Sequence, residues 1–215
     1  MDRAYLEIFF LCGMILQVIL FFQYLWIYFK KGYRKYFNKR ERLFIIFILI
    51  GYFVLPFIYV FSTWFSWFDY YLPKFMAFPA IAIYCFGVWL FFRAYTELGS
   101  AWSPGPDVKE AHILVTGGLF SWMRHPMYSS LSVIALAQIF ILQNWLVGPA
   151  FLLLSIPFYN YRIKREEKQL VIYFGDEYTN YKKRTNAVIP RADLVDFRKI
   201  INDLKLFAGR KRKLK

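Results

Sequence analysis

Four long stretches of this chain contain no charged residue, and basic segments separate them. Crossing the hydrocarbon core of a bilayer takes about 20 apolar residues in a helix, and only helices or closed barrels satisfy their backbone there. The stretches are too long and continuous for barrel strands, so they predict membrane helices. They are Ile8–Phe29, Leu43–Trp64, Ala77–Phe92 and Met127–Tyr161.

The fourth stretch is too long for one crossing. Gln143 and Asn144 interrupt it near the middle, and Gly148 and Pro149 follow closely, so it predicts a helical hairpin. Pro56 predicts a kink in the second helix. The expected fold is therefore an all-α integral membrane protein with about five transmembrane helices, the last two forming the hairpin.

Composition supports this fold, because 59% apolar and 23% aromatic residues exceed what a soluble domain of 215 residues hides in its interior. A cleavable signal peptide is the alternative for the first stretch, but the stretch is too long and no small-residue cleavage site follows it. Cys12 and Cys85 fall inside predicted helices and indicate no disulfide framework.

Orientation follows from the positive residues between the helices. Seven lysines and arginines lie between Lys30 and Arg42, whereas the next loop carries only Lys74. The first loop is therefore expected in the cytoplasm, with the N-terminus outside and the loop 96–126 and the C-terminus inside. The formal net charge of +14 suits anionic lipid, and no nucleic-acid recognition fold is visible.

Three regions are expected along the chain. Residues 1–95 hold helices one to three, residues 96–190 hold the cytoplasmic loop and the hairpin, and residues 191–215 form a basic tail. Apolar residues recur in the tail at helical spacing, which fits a helix lying in the membrane interface or one packed on the rest of the cytoplasmic segment. Both interpretations remain open.

Polar residues gather in two clusters beside the apolar stretches. The first precedes the hairpin, where Arg124, His125, Pro126 and Tyr128 follow a loop containing His112. Proline is favourable at the first position of a helix, so a helix is predicted to begin at Pro126 and to offer free backbone N–H groups to an anionic ligand. A histidine in this position also commonly serves as a simple helix cap.

The second cluster follows the hairpin and consists of Arg162, Arg165, Glu166 and Glu167. Arg162 and Glu166 share a face if the helix continues, because they are four residues apart. Charged residues at the end of a spanning helix are also commonly anchors whose charged ends reach the interface. Spacing alone does not decide between these interpretations.

Together the clusters resemble the isoprenylcysteine carboxyl methyltransferase and phospholipid methyltransferase superfamily of membrane enzymes. The ordered series that carries the resemblance is Leu98-Gly99-Ser100-Ala101-Trp102-Ser103, Leu114-Val115-Thr116-Gly117, Arg124-His125-Pro126-Met127-Tyr128, Arg162, Glu166-Glu167, Leu170, Phe174-Gly175-Asp176-Glu177-Tyr178, Tyr181, Arg184 and Pro190. The chain departs from the family at Gly118-Leu119-Phe120, where Gly-Pro-Tyr is usual, and at Ser130, where glycine is usual.

The resemblance implies an S-adenosylmethionine-dependent methyltransferase whose site faces the cytoplasm and whose lipophilic acceptor, an isoprenylcysteine-like carboxylate, enters from the lipid. It implies no metal, and no obligatory protein partner is inferred. Arg162 is expected to grip the acceptor and Glu166 to orient that arginine or the acceptor. The residues expected to hold the cofactor are His112, Leu114, Val115, Gly117, Leu119, Arg124, His125, Pro126, Tyr128 and Glu167.

Three other functions remain open at this point. A phospholipid or other lipid amine N-methyltransferase would use the same cofactor site, with Glu166 accepting a proton from the amine. A sterol-type reductase would bind a nicotinamide cofactor, although the chain has no Gly-x-Gly-x-x-Gly stretch. A non-catalytic membrane interaction protein would not need the ordered polar residues. The sequence does not distinguish a prokaryotic plasma membrane from an endoplasmic reticulum membrane.

Overall fold

The computed structural model of the protein describes residues 3–30, 39–99 and 113–190. These residues contain no β-strand and form helices joined by short turns. The helices are α1 (Arg3–Lys30), α2 (Lys39–Leu49), α3 (Leu55–Phe61), α4 (Ala77–Leu98), α5 (Pro126–Leu142), α6 (Val147–Phe174) and α7 (Asp176–Arg184). The expected all-helical fold is confirmed for this part of the chain.

The helices follow the predicted apolar stretches, with different ends. A π-helical turn at Ile50–Val54 joins α2 to α3, and the combined helix ends at Phe61, three residues before the predicted end. Ser62 is already extended there. At the other end of the chain, α6 continues well past Tyr161, the end of the predicted apolar stretch, and thereby carries the second polar cluster.

Two helical stretches, Lys39–Phe61 and Lys74–Leu98, are long and apolar enough to cross a membrane. Only 22% and 33% of the residues in their most apolar windows are buried inside the protein, so neither is the core helix of a soluble domain. Helix α5 has 17 residues and is shorter than the usual span of about 20. Large apolar side chains on α1, α2 and α4 face outward, as lipid contact requires.

The predicted break between α5 and α6 is confirmed at Gln143 and Asn144. Gln143 adopts a left-handed backbone conformation with φ of 48°, which ends α5. The Asn144 side-chain oxygen then accepts hydrogen bonds from the N–H groups of Leu146 and Val147, at 3.0 and 2.9 Å, and satisfies the free donors at the start of α6.

The core lies where α1, α4, α5, α6 and the π-helical turn converge. Helix α5 packs between α4 and α6, and α2 packs against α6. Close approach of α4 and α5 depends on Gly87, because a Cβ atom at this position would lie 2.7 Å from the Ile134 side chain. The largest fully buried apolar or aromatic side chains of this core are Leu6, Phe10, Tyr84, Ile134, Ile141, Leu142, Val147 and Phe151.

Asp69 connects several parts of the bundle at the C-terminal end of α5. Its carboxylate accepts hydrogen bonds from Arg3 at 2.7 Å, Asn144 at 2.7 Å and Tyr59 at 3.0 Å. The Arg3 guanidinium also lies over the Tyr59 ring, 5.0 Å from its centre. This end is therefore fixed by a paired charge, and the polar clusters lie at the opposite end of α5.

Pro56 produces a π-helical turn just before it. In that turn the Leu55 N–H donates to the Ile50 carbonyl five residues earlier, and the next donor in this pattern would be residue 56. Proline has no N–H, so the Gly51 carbonyl loses its helical partner. The fully buried Gln138 side chain on α5 donates to that carbonyl instead, at 3.2 Å, and to the Val147 carbonyl at 2.8 Å.

We expect Gln138→Met, which keeps the size but removes the amide donor, to lower the unfolding free energy by about 1–3 kcal/mol, the usual cost of an unsatisfied buried acceptor. In a Pro56→Ala background the cost should be smaller, because residue 56 regains an N–H for the helix. Unfolding in mixed detergent micelles would measure both costs. Equal costs in the two backgrounds would show that Gln138 does not compensate for the proline.

Candidate active site

Both polar clusters lie together at the N-terminal end of α5. The extension of α6 beyond residue 161, the helix α7 and the residues 185–188 surround the start of α5. Gly175, with φ of 55°, permits the sharp change of direction between α6 and α7. The family-like motif from Phe174 to Tyr178 therefore forms this junction, and Tyr178 is buried in it.

The segment leading into α5 is held by α4. Gly118 has φ of 60°, and a Cβ atom there would lie 2.5 Å from the Glu97 carboxylate, so glycine is required. The Leu119 N–H donates to that carboxylate at 2.7 Å, and Arg93 donates to its other oxygen at 2.7 Å. The family usually has proline at the position of Leu119, and proline has no N–H to donate to Glu97.

The C-terminal segment lies along the same loop. The backbone N–H groups of Arg124 and His125 donate to the carbonyls of Asn186 and Ala187, at 2.9 and 2.8 Å. The Arg124 guanidinium donates to the Thr185 carbonyl, and Tyr181 donates to the Phe120 carbonyl at 2.5 Å. The loop and the segment after α7 are therefore one packed unit.

The start of α5 at Pro126 is confirmed, but the expected row of free N–H groups is wrong. Besides the two N–H groups just described, those of Tyr128 and Ser129 donate to the His125 carbonyl, at 3.0 and 3.2 Å. The first turn of α5 therefore satisfies these donors within the protein. These N–H groups are therefore not free to bind a ligand.

Glu167 is the carboxylate that joins the loop to α7. It lies 2.8 Å from the Arg124 guanidinium and 2.5 Å from the Lys182 amine. Burial alone would raise the pKa of Glu167, but the neighbouring His125, Lys182 and Arg124 outweigh it and lower the pKa to about 2. Glu167 is therefore ionised at neutral pH.

His125 lies between two carboxylates. Its Nδ1 is 3.5 Å from Glu166 and its Nε2 is 3.5 Å from Glu167, and the ring stacks on Tyr128 with centres 5.6 Å apart. It occupies the N-cap position of α5 without a side-chain capping bond, so the simple cap interpretation is wrong. The buried Nε2 atom has no hydrogen-bond partner among the described residues.

Arg162 is buried rather than extended toward the interface, with 3% of its surface exposed. The interpretation as an interfacial anchor is therefore wrong for this residue. Its Nε donates to Glu166 at 2.7 Å, as the spacing predicted, and its Nη1 lies 3.1 Å from the fully buried Glu41. The Tyr128 hydroxyl donates to the same Glu166 oxygen at 2.9 Å.

Several predicted site residues lie together and others do not. The residues that converge are Arg124, His125, Pro126, Tyr128, Arg162, Glu166 and Glu167. Leu119 is buried in an apolar cluster with Leu90 and Ala94. Leu114 and Val115 are half-buried, Gly117 is exposed at the edge of the loop, and His112 lies outside the described residues.

Sequence reasoning missed Glu41. The only signal was its position as an acidic residue among Lys39, Arg40 and Arg42, where a solvated helix start is the usual interpretation. Its partners, Arg162 and Arg165, lie more than a hundred residues later in the chain. A contact of that separation leaves no trace in local spacing.

Comparison with known proteins matches the part of the chain that carries the candidate site. The sequence model of the isoprenylcysteine carboxyl methyltransferase (ICMT) family matches residues 80–172. The protein-S-isoprenylcysteine O-methyltransferase of Schizosaccharomyces pombe is 34% identical over 113 residues, which are 52% of this chain and 48% of that protein. The human protein of the same name is 33% identical over 84 residues, 39% of this chain and 30% of that protein. The aligned stretches thus span less than half of either relative.

A solved structure is also similar. It is the eukaryotic intramembrane Ras methyltransferase ICMT, with a TM-score of 0.50 and 24% identity over 73% of this chain and 54% of that one. This likeness shows a shared helical fold. Together with the two apolar helices described above, it confirms the coarse expectation of a multi-pass helical membrane protein.

The resemblance drawn from the ordered motifs is therefore confirmed, and it is to the isoprenylcysteine carboxyl methyltransferase family.

Proposed function

We propose that the protein is an S-adenosylmethionine-dependent methyltransferase that methylates the carboxylate of a lipophilic, isoprenylcysteine-like acceptor. One observation carries the proposal: the buried Arg162 and the half-buried Glu166 adjoin His125 and Glu167 in a single cluster. An acceptor-gripping arginine and the residues assigned to the methyl donor are thereby neighbours. The similarity to proteins named protein-S-isoprenylcysteine O-methyltransferase supports this proposal.

The residues around His125 fit a methyl donor. A sulfonium cation with a polar amino-acid end and an aromatic base calls for carboxylates, a hydrogen-bonding ring and aromatic surface. Glu167, the Nε2 of His125 and the Tyr128 ring provide such groups. When bound, S-adenosylmethionine supplies the methyl group, and the protein's part is to hold and orient it and to exclude water. We infer that His112, Leu114, Val115 and Gly117 complete this site, and that Leu119, Arg124 and Pro126 fix its loop.

The hydrogen bonds of Glu166 favour a carboxylate acceptor over an amine. One of its oxygens already accepts from both Arg162 and Tyr128, so it is well placed to orient the arginine and poorly placed to take a proton. A carboxylate is already nucleophilic at neutral pH and needs no base. Arg162 offers it a planar fork of donors.

We further propose five crossings, with the N-terminus outside and the site, the loop 96–126 and the C-terminus in the cytoplasm. The positive residues around the first loop support this orientation. The division into residues 1–95, 96–190 and the basic tail 191–215 remains part of the proposal, and helix α4 runs through its first boundary. The tail lies outside the described residues, and anionic lipid is its proposed partner.

For the topology, a tag at Met1 should be accessible only from the non-cytoplasmic side and a tag at Lys215 only from the cytoplasm. The asymmetry of lysine and arginine between the first two loops is the reason. Protease protection in sealed vesicles would measure both ends. Finding the two tags on the same side would mean an even number of crossings.

For the site, Arg162→Ala should lower methyl transfer to a farnesylated cysteine analogue roughly ten- to over a hundredfold, since a lost charge-assisted contact costs about 1.5–3 kcal/mol. Lysine should rescue only part of this, because it lacks the planar fork.

His125→Ala should instead weaken S-adenosylmethionine binding about five- to tenfold, the effect of one lost hydrogen bond.

Calorimetry and transfer assays on the same detergent-purified variants would separate the two effects. Loss of cofactor binding in Arg162→Ala, or unchanged cofactor affinity in His125→Ala, would contradict the assigned roles. Transfer by the wild type to a lipid amine but not to the carboxylate would replace the proposed acceptor.

The ionisation of Glu167 should make the stability of the folded protein depend on pH in the acidic range. Its pKa in the folded protein, about 2, is below its ordinary value of 4.5, so its stabilising effect is complete above about pH 4.5 and is lost as the pH falls toward 2. Glu167→Gln should therefore lower the melting temperature at neutral pH, and its difference from wild type should narrow below pH 4.5. The exposed Glu177→Gln is the control. A gap that stays constant down to pH 3 would mean that the charge of Glu167 does not stabilise the fold.

A further inference from the structure

Glu41 belongs to the N-terminal half of the chain, outside the residues matched by the family model. It lies in the first turn of α2 and has no exposed surface. A buried carboxylate without cationic partners would be strongly destabilising, and this one is retained against two guanidinium groups. It lies beside Arg162, the residue proposed to bind the acceptor, and packing alone does not explain a carboxylate at this position.

Each oxygen of Glu41 contacts a different arginine on one face of α6. Oε1 lies 3.1 Å from Arg162 Nη1, and Oε2 lies 2.9 Å from Arg165 Nη1. The two arginines are three residues apart and therefore neighbours on the helix. Glu41 thus bridges α2 to the part of α6 that carries the proposed acceptor residue.

Arg162 is consequently held at two edges of its guanidinium plane. Glu166 contacts the Nε edge from the same helix, at 2.7 Å, and Glu41 contacts the Nη1 edge from α2. A single contact leaves a planar group free to rotate about that bond, whereas two contacts from different directions fix the plane. Gripping a carboxylate with two parallel hydrogen bonds requires such a fixed plane.

We propose that Glu41 is a positioning residue, which sets the orientation of Arg162 toward the acceptor from a helix outside the matched segment. The proposal rests on the acceptor role of Arg162 given under the proposed function. Glu41 acts through the arginine and not on the methyl donor. Loss of its charge should therefore affect acceptor turnover while leaving donor affinity unchanged.

A double-mutant cycle tests this with Glu41→Gln, Arg162→Ala and the combination. Glu41→Gln should lower kcat for the farnesylated cysteine analogue about tenfold, in the range expected for a charged contact, with S-adenosylmethionine affinity unchanged. In the Arg162→Ala background it should cause no further loss, because the residue that it orients is gone. Glu41→Asp, which keeps the charge, should recover part of the rate.

Asp69→Asn is the matched control, since it removes a carboxylate that binds Arg3 at the far end of the bundle. It should lower the melting temperature but leave kcat of the folded protein unchanged. If Glu41→Gln does not accumulate as folded protein, the same cycle is run with Glu41→Asp.

Equal losses in the wild-type and Arg162→Ala backgrounds would overturn the proposal. A Glu41→Gln variant with a lower KM for the acceptor and an unchanged kcat would also overturn the proposal. Glu41 would then only offset the positive charge of Arg162 and would not orient it. A wild-type protein that binds S-adenosylmethionine but methylates no carboxylate acceptor would instead refute the proposed function.

Discussion

Burial of charge without water is the constraint on which this structure depends. A carboxylate or guanidinium group that is buried among packed helices has little contact with water, so it needs an opposite charge from within the protein. The polar extension of α6 meets this requirement with partners from three places: Glu41 on α2, Arg124 in the loop before α5, and Lys182 on α7. The ion pairs that stabilise this end therefore also assemble the candidate site.

The same constraint explains an irregular helix in the middle of the bundle. Pro56 removes a backbone donor where water cannot replace it, and Gln138 on a neighbouring helix provides the missing hydrogen bond. Gly51 permits this arrangement, because a Cβ atom there would lie 2.9 Å from the backbone of Phe151. The Gln138 side chain thus links the π-helical turn after α2 to α5 and to the start of α6.

Features with a local cause could be predicted from the sequence. The apolar stretches, the proline that starts α5, the break at Gln143 and the pairing of Arg162 with Glu166 each depend on residues at most a few positions apart. The π-helical turn, the partner of Gly51 and the ion pairs of Glu41 depend on contacts between distant helices. The hydrogen bonds of the N–H groups of Arg124 and His125, just before α5, were not predictable for the same reason, since the carbonyls of residues 186 and 187 accept them.

The contact between Glu41 and Arg162 also bears on how the acceptor is chosen. Residues 80–172 include Arg124, His125, Arg162, Glu166 and Glu167, so the segment shared with the family contains the charged residues proposed for the donor and acceptor. The plane of the Arg162 guanidinium, however, is set in part by α2, which lies outside that segment. Two chains with the same motifs can therefore present the arginine differently if their first helices differ. If Arg162 grips the acceptor as proposed, the packing of the N-terminal helices on α6 takes part in acceptor selection together with the motifs.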